Sequence, residues 1–265
     1  MSAGTLQSIL RLRNVLRSER YDLAVDMQGT LRSGVIGRMA GARQLAGYSD
    51  PRERLAARLY SRRLRRTGTH VVEQGAALLG EACGVALNAA EVALPRDAAA
   101  EAWAEEKILA RPLMMVAPGG GWGAKRWLVE RFAEVARQMR PKAKDCVVNA
   151  SSERDALALQ VVAASGGAAR IIGCSVAQLV ALLRRTDLFV GGDSGPLHLA
   201  AALAVPVVAL FGPTDPARNG PSGPGVKIVL RDAASVTSYK RSSGVDPGMA
   251  NITVEQVVAA MDRLI

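Results

Sequence analysis

Between Leu113 and Phe211 five short apolar runs alternate with four stretches of helical pattern. Leu113–Ala117, Cys146–Ala150, Arg170–Ile172, Leu188–Val190 and Pro206–Phe211 read as strands, and residues 128–139, 153–164, 176–185 and 196–203 read as helices. A strand that is apolar on both faces must be covered on both faces, and the intervening helices supply the cover. That arrangement is a parallel sheet wound on both sides, an α/β fold. A further strand at Lys227–Leu230 and a last amphipathic helix at 253–265 extend it.

The first half is less regular. Helical spacing marks residues 5–18, and Tyr21–Asp26 (YDLAVD) reads as a short buried strand. Residues 30–40 read as a helix, Gln44–Tyr48 as another strand, 52–66 as an arginine-rich helix and 70–83 as a further helix. Two strands make a poor sheet, so this half reads as a truncated parallel domain whose first strands are absent. The Ala-rich stretch 97–110 reads as an interdomain connection. The expected domains are therefore 1–94 and 95–265.

Thirty-four Lys plus Arg stand against 24 Asp plus Glu, a net charge of +10. Such a chain expects anionic partners: nucleotide, phosphorylated glycan, nucleic acid or an acidic membrane surface. Aromatics are only 4%, which argues against single-stranded nucleic acid, where bases need stacking platforms. Cys83, Cys146 and Cys174 lack paired spacing, and His70 and His198 are the two histidines, so no zinc site is expected and the setting reads as reducing and cytoplasmic. No apolar run reaches the roughly 18 residues of a transmembrane segment, and the N-terminus lacks a signal-peptide core.

Five segments carry residues suited to chemistry. Pro118-Gly-Gly-Gly-Trp-Gly-Ala-Lys125 follows one strand and precedes a helix. Its glycines let backbone N–H groups approach an anion, the helix start favours negative charge, and Lys125 adds a point charge. A flexible turn with a solvated lysine is the plainer reading. Gly119, Gly121 and Ala124 also satisfy a loose dinucleotide-binding pattern. In Gly191-Gly-Asp193-Ser-Gly-Pro-Leu-His198 a strand ends at a glycine pair, Ser194 caps a helix, and His198 falls in its first turn. This second anion cradle competes with a reading as a well-capped helix. Phe211-Gly-Pro-Thr-Asp-Pro216 is a rigid turn beside the same edge. The arginines from Arg52 to Arg66 form either a solvated face or a patch for phosphate and carboxylate groups. Asp26-Met-Gln28-Gly-Thr-Leu-Arg32 ends a strand; Gln28 and Arg32 could face a crevice, while Asp26 could hold the loop through backbone hydrogen bonds.

In this order, YDLAVDMQG, the arginine segment with Tyr60 and Arg62, GGGWGAKRW, GGDSGPLHLAAAL and FGPTDP resemble the heptosyltransferase family of glycosyltransferases, family nine, from about Tyr21 to the C-terminus. The resemblance implies a GT-B-like fold of two Rossmann-like domains, the N-terminal one truncated. It implies transfer of a heptose from ADP-heptose to the lipopolysaccharide inner core, inverting and metal-independent, with no cofactor. The donor would be held by Gly120, Gly121, Lys125, Glu153 (on the ribose), Asp193, Ser194, Gly195 and His198. The acceptor, an anionic lipopolysaccharide precursor at the membrane surface, would meet Gln28, Arg32, Arg52 and Arg62. The implied setting is cytoplasmic, peripheral at the inner membrane, with no nucleic acid partner. The family's presumed catalytic aspartate belongs to a strand and loop upstream of this chain's start, so the resemblance assigns no catalytic base here and impaired activity is an expectation. Many members also carry a cysteine cluster before the last helix, where this chain has SYKRSSGVDPGM. The alternatives are a non-catalytic nucleotide- or glycan-binding remnant and an NAD-dependent oxidoreductase. For the oxidoreductase reading, the acidic residue expected roughly 20 positions after the glycines is out of place, because Asp145 precedes the second strand.

Overall fold

The structure, a computed structural model, describes residues 3–87 and 93–265. The chain divides into two compact units, Met1–Ala90 and Glu91–Ile265.

The first unit contains helix α1 (Ala3–Ser18), strand β1 (Leu23–Asp26), α2 (Leu31–Ala40), β2 (Gln44–Tyr48), β3 (Arg62–Leu64) and α3 (Val71–Cys83). Its sheet has the order β1-β2-β3, all parallel. Thr30 starts α2 through a capping box with Ser33, and Gly41 ends it at φ 70°. Two expectations change here. Residues 52–66 form no α-helix: Arg54–Leu59 is a 3-10 stretch and Arg62–Leu64 is a strand in register with Ala46–Tyr48. Local helical preference loses to pairing with the β2 edge and to burial of Ala56, Tyr60 and Leu64. Also, β1 is only half-buried along Leu23–Val25, because among the described residues it pairs on one side only.

The second unit begins with α4 (Ala98–Lys107), followed by β4 (Leu113–Ala117), α5 (Val129–Met139), β5 (Asp145–Ala150), α6 (Ala156–Ala164) and β6 (Arg170–Gly173). Then come α7 (Val176–Leu183), β7 (Leu188–Gly192), α8 (Gly195–Ala202), β8 (Val207–Phe211), α9 (Pro216–Asn219), β9 (Lys227–Arg231), α10 (Pro247–Asn251) and α11 (Val254–Asp262). The strand order is β6-β5-β4-β7-β8-β9, and every pairing is parallel. Successive side chains of β4 go to opposite faces, so each face has its own core. Met114 and Val116 pack with Trp127, Phe132 and Met139 from the α5 side. Leu113, Met115 and Ala117 pack with Ala104, Leu182 and Leu197 from α4, α7 and α8.

The Ala-rich stretch is therefore no connector. Asp97 caps α4 through a bond from the Ala100 N–H at 2.9 Å, and Ala100 and Ala104 are buried one turn apart against α7. Glu101 binds Arg184 at 2.6 Å and also pairs with Arg185, which fixes the helix to the end of α7.

Candidate functional site

The order of the second sheet reverses between β4 and β7, which pair as Val116↔Val190 and Ala117↔Gly191. A crevice outside the carboxyl ends of the strands forms where a doubly wound sheet reverses. A cavity of about 710 Å³ opens there, between the Pro118–Gly121 loop after β4 and the Asp193–His198 segment after β7. Gly192 lets the two sides meet: a Cβ there would lie 2.7 Å from the Lys125 carbonyl oxygen.

Asp193 is the centre of this wall and is 7% exposed. Its Oδ2 accepts from Lys125 Nζ at 2.5 Å, and its Oδ1 lies 3.2 Å from His198 Nε2. Burial pushes the Asp193 carboxyl up, but the bonds from His198, Lys125 and Thr214 outweigh burial and hold it below the usual aspartate value. Lys125 Nζ also sits 4.2 Å from the centre of the Trp122 ring. The ammonium is thus held at the cavity wall by a carboxylate and a π face.

Ser194 occupies the N-cap position of α8, yet its side chain caps nothing and its buried Oγ has no hydrogen-bond partner. Pro196, at the second helical position, has no N–H to donate, which removes one of the bonds a cap normally accepts. The sequence expectation of a Ser194 cap is corrected accordingly. What remains is a hydroxyl and a helix start, both on the cavity wall.

Of the donor-side residues expected from the sequence, Gly120, Gly121, Lys125, Asp193, Ser194, Gly195 and His198 all line this cavity. Glu153 does not. It is exposed on the loop after β5, where Ser151 and Asp155 line the wall instead. The glycine loop also differs from its sequence reading. It ends in a 3-10 turn, Gly123–Lys125, and α5 starts only at Val129, beyond the lining residues. Ala124 therefore stands in that turn, where it cannot serve the helix–strand packing of a dinucleotide fingerprint. The helix start on the cavity belongs to α8.

Sequence reasoning passed over Asn149, Cys174 and Val176, which also line the cavity. They lie at or just past the ends of β5 and β6, so the carboxyl-end rule applied to those strands would have found them. Asn149 Nδ2 lies 3.4 Å from Cys174 Sγ, and burial pushes the Cys174 thiol up to about 11.

In the first unit, Asp26 is a structural knot. Its Oδ1 accepts from the N–H groups of Gln28 and Gly29, both at 3.0 Å, and its Oδ2 accepts from Ser33 Oγ at 2.9 Å and Tyr60 Oη at 2.7 Å. Burial, then the bond to Asp26 and its charge, push the Tyr60 hydroxyl well above its usual value. The knot brings the Gln28 loop against the Pro51–Arg52 backbone, where Glu53 N–H donates to the Gly29 carbonyl at 2.9 Å. Gln28, Arg32 and Arg52 are exposed around this junction. Arg62 is not brought to it. It opens β3, and its guanidinium donates to the Ala82 and Glu81 carbonyls at 3.0 and 2.9 Å, satisfying the C-terminal end of α3.

The family model of glycosyltransferase family 9 (heptosyltransferase) matches residues 9–246. Lipopolysaccharide heptosyltransferase 1 of Pseudomonas aeruginosa is 31% identical over 220 residues, which are 80% of this chain and 60% of that protein. The chain thus spans less than two thirds of that relative. Lipopolysaccharide core heptosyltransferase OpsX of Haemophilus influenzae is 26% identical over 276 residues, covering 97% of this chain and 79% of that protein. Among solved structures, Escherichia coli ADP-heptose lps heptosyltransferase II superposes with a TM-score of 0.77 at 23% identity, covering 98% of this chain and 81% of the other. E. coli heptosyltransferase WaaC with ADP gives 0.77 at 20% identity, covering 100% and 79%. The fold is the GT-B type of these neighbours, α/β with parallel sheets and two Rossmann-like units. With the family model matching nearly the whole length, the chain belongs to glycosyltransferase family 9, the heptosyltransferases.

Proposed function

We propose that this chain transfers a heptose from ADP-heptose to the inner core of lipopolysaccharide, with inversion and without a metal. The observation that carries the reading is the group on the cavity wall: Lys125 held by Asp193, an unpartnered Ser194 hydroxyl and the start of α8. In the transfer, an acceptor hydroxyl attacks the anomeric carbon from the face opposite the nucleotide. A new C–O bond forms, the bond to the β-phosphate oxygen breaks, and the electron pair leaves on ADP. Negative charge grows on that oxygen, and fixed cations and N–H dipoles aimed at it lower the barrier. Lys125, the N–H groups of Gly120 and Gly121 and the α8 start fill that role, and Asp193 keeps Lys125 and His198 oriented. The acceptor's proton goes to a general base to which no residue here is assigned.

Unit Glu91–Ile265 is the donor side in this reading, and Gln28, Arg32 and Arg52 serve the anionic acceptor. The net charge of +10 favours work at an anionic lipid surface. No helix among the described residues is long and apolar enough to cross a membrane. Calorimetric titration with ADP and ADP-heptose tests the reading. Both ligands bind the native chain, and Lys125→Ala weakens ADP by about 1–3 kcal/mol, the range for a charge-assisted hydrogen bond. A folded chain that binds neither nucleotide sinks the proposal.

A further inference from the structure

The segment Ser238–Pro247 builds a second cavity. It has a volume of about 540 Å³, and Lys240, Arg241, Ser242 and Ser243 line it together with Ala124 and Pro213. Neither Lys240 nor Arg241 makes an ion pair among the described residues. The carboxylate on this wall, Asp246, has its Oδ1 engaged by the Gly248 N–H at 2.9 Å. Two unmatched cations with serine hydroxyls make a wall suited to a phosphate or carboxylate group.

The segment rests on the same loop that borders the first cavity. Ala124 N–H donates to the Ser242 carbonyl at 3.2 Å, and Ser238 N–H donates to the Pro213 carbonyl at 2.7 Å. Gly123 permits this approach, since a Cβ there would lie 1.9 Å from the Ser243 carbonyl oxygen. Both cavities have a cation near the Trp122 ring: Lys125 Nζ is 4.2 Å from its centre and the Arg241 guanidinium carbon 5.8 Å. One indole ring is thus shared by the cation of the first cavity and a cation of the second.

We propose that the Ser238–Pro247 cavity is a second anion site, which takes a phosphate or carboxylate group of the acceptor beside the bound nucleotide. The site itself stands on these residues; that its occupant belongs to the acceptor rests on the reading of the preceding subsection. A free phosphate offers the same chemistry, so the test separates the two sources. The full chain, saturated with ADP to fill the first cavity, is titrated with inorganic phosphate and, separately, with micelles of a heptose-free lipopolysaccharide precursor. Wild type binds both, and the double substitution Lys240→Ala, Arg241→Ala weakens both at least tenfold while ADP affinity stays within twofold. Phosphate that no longer binds once ADP is saturating, or that binds the double variant equally well, overturns the site. Loss of phosphate with undiminished binding of the precursor overturns the acceptor as its occupant. A precursor that fails to bind even wild type removes the acceptor reading, and the phosphate titration then decides the cavity alone.

Discussion

At the scale of single residues, the site turns on one buried carboxylate. Asp193 is 8% exposed at its side chain and Lys125 12%, so neither charge is well screened by solvent. Asp193→Ala leaves Lys125 charged and unpaired, which costs about 3–5 kcal/mol of stability; denaturant unfolding at neutral pH measures it. The pH dependence has a definite sign. The folded chain holds the Asp193 carboxyl below its ordinary 3.8. Between that value and the folded one, the unfolded chain binds the proton more readily, so stability rises with pH. The contribution is whole above pH 3.8 and is lost as pH falls through the folded value. Urea midpoints measured from about pH 5 down to 2.5 therefore fall more steeply for wild type than for Asp193→Asn. Equal slopes would show that Asp193 is not held in the ionised form by its partners.

At the scale of elements, the last two helices of the second unit are fastened by α5 and the residues before it. Trp127 Nε1 donates to the Ile252 carbonyl at 3.0 Å, and Arg131 binds the Ala250 carbonyl at 2.5 Å, at the junction of α10 and α11. Trp127 also meets Phe132 edge to face, with ring centres 5.0 Å apart. Trp127→Ala removes a large buried ring together with its donor, and a loss of about 3–5 kcal/mol is expected. Trp127→Phe keeps most of the apolar contact and loses the bond, so its cost is smaller. Chemical denaturation of both variants checks the order. The element scale is also where sequence reading failed. Arginine and leucine from 54 to 64 are good helix formers, yet the pairing of Arg62–Leu64 with β2 and the reach of Tyr60 to Asp26 decide the conformation. Alanines 98 to 104 hid a packed helix, because alanine signals little about burial until its neighbours are known.

At the scale of the whole molecule, every cavity-lining residue of the candidate donor site belongs to the Glu91–Ile265 unit, and so do Trp103, Trp122 and Trp127, the chain's three tryptophans. Tryptophan fluorescence therefore reports that unit. At 100 times its dissociation constant, ADP adds about 2.7 kcal/mol, which raises the fluorescence-detected melting temperature by roughly 5–10 °C. Lys125→Ala at the same ADP concentration shows a smaller rise. An undiminished rise would place the nucleotide elsewhere.

The alternation of short apolar runs with helical stretches by itself determined a doubly wound parallel sheet, because strands apolar on both faces need cover on both. Glycines at strand ends and the Asp193-Ser-Gly-Pro segment likewise marked where an anion could sit, since those residue types act through their own backbone. Only the tertiary structure decided which strand ends become neighbours. The order β6-β5-β4-β7-β8-β9 places β4 beside β7 and so brings Lys125 within 2.5 Å of Asp193, 68 residues away. In the first unit, the pairing of β3 with β2 and the packing of α3 set Arg62 against the end of α3, and in the second the loop after β5 leaves Glu153 outside the cavity wall. Neighbour choice depends on crossovers and on the close approach of distant backbones, and no local pattern of residues encodes those distances.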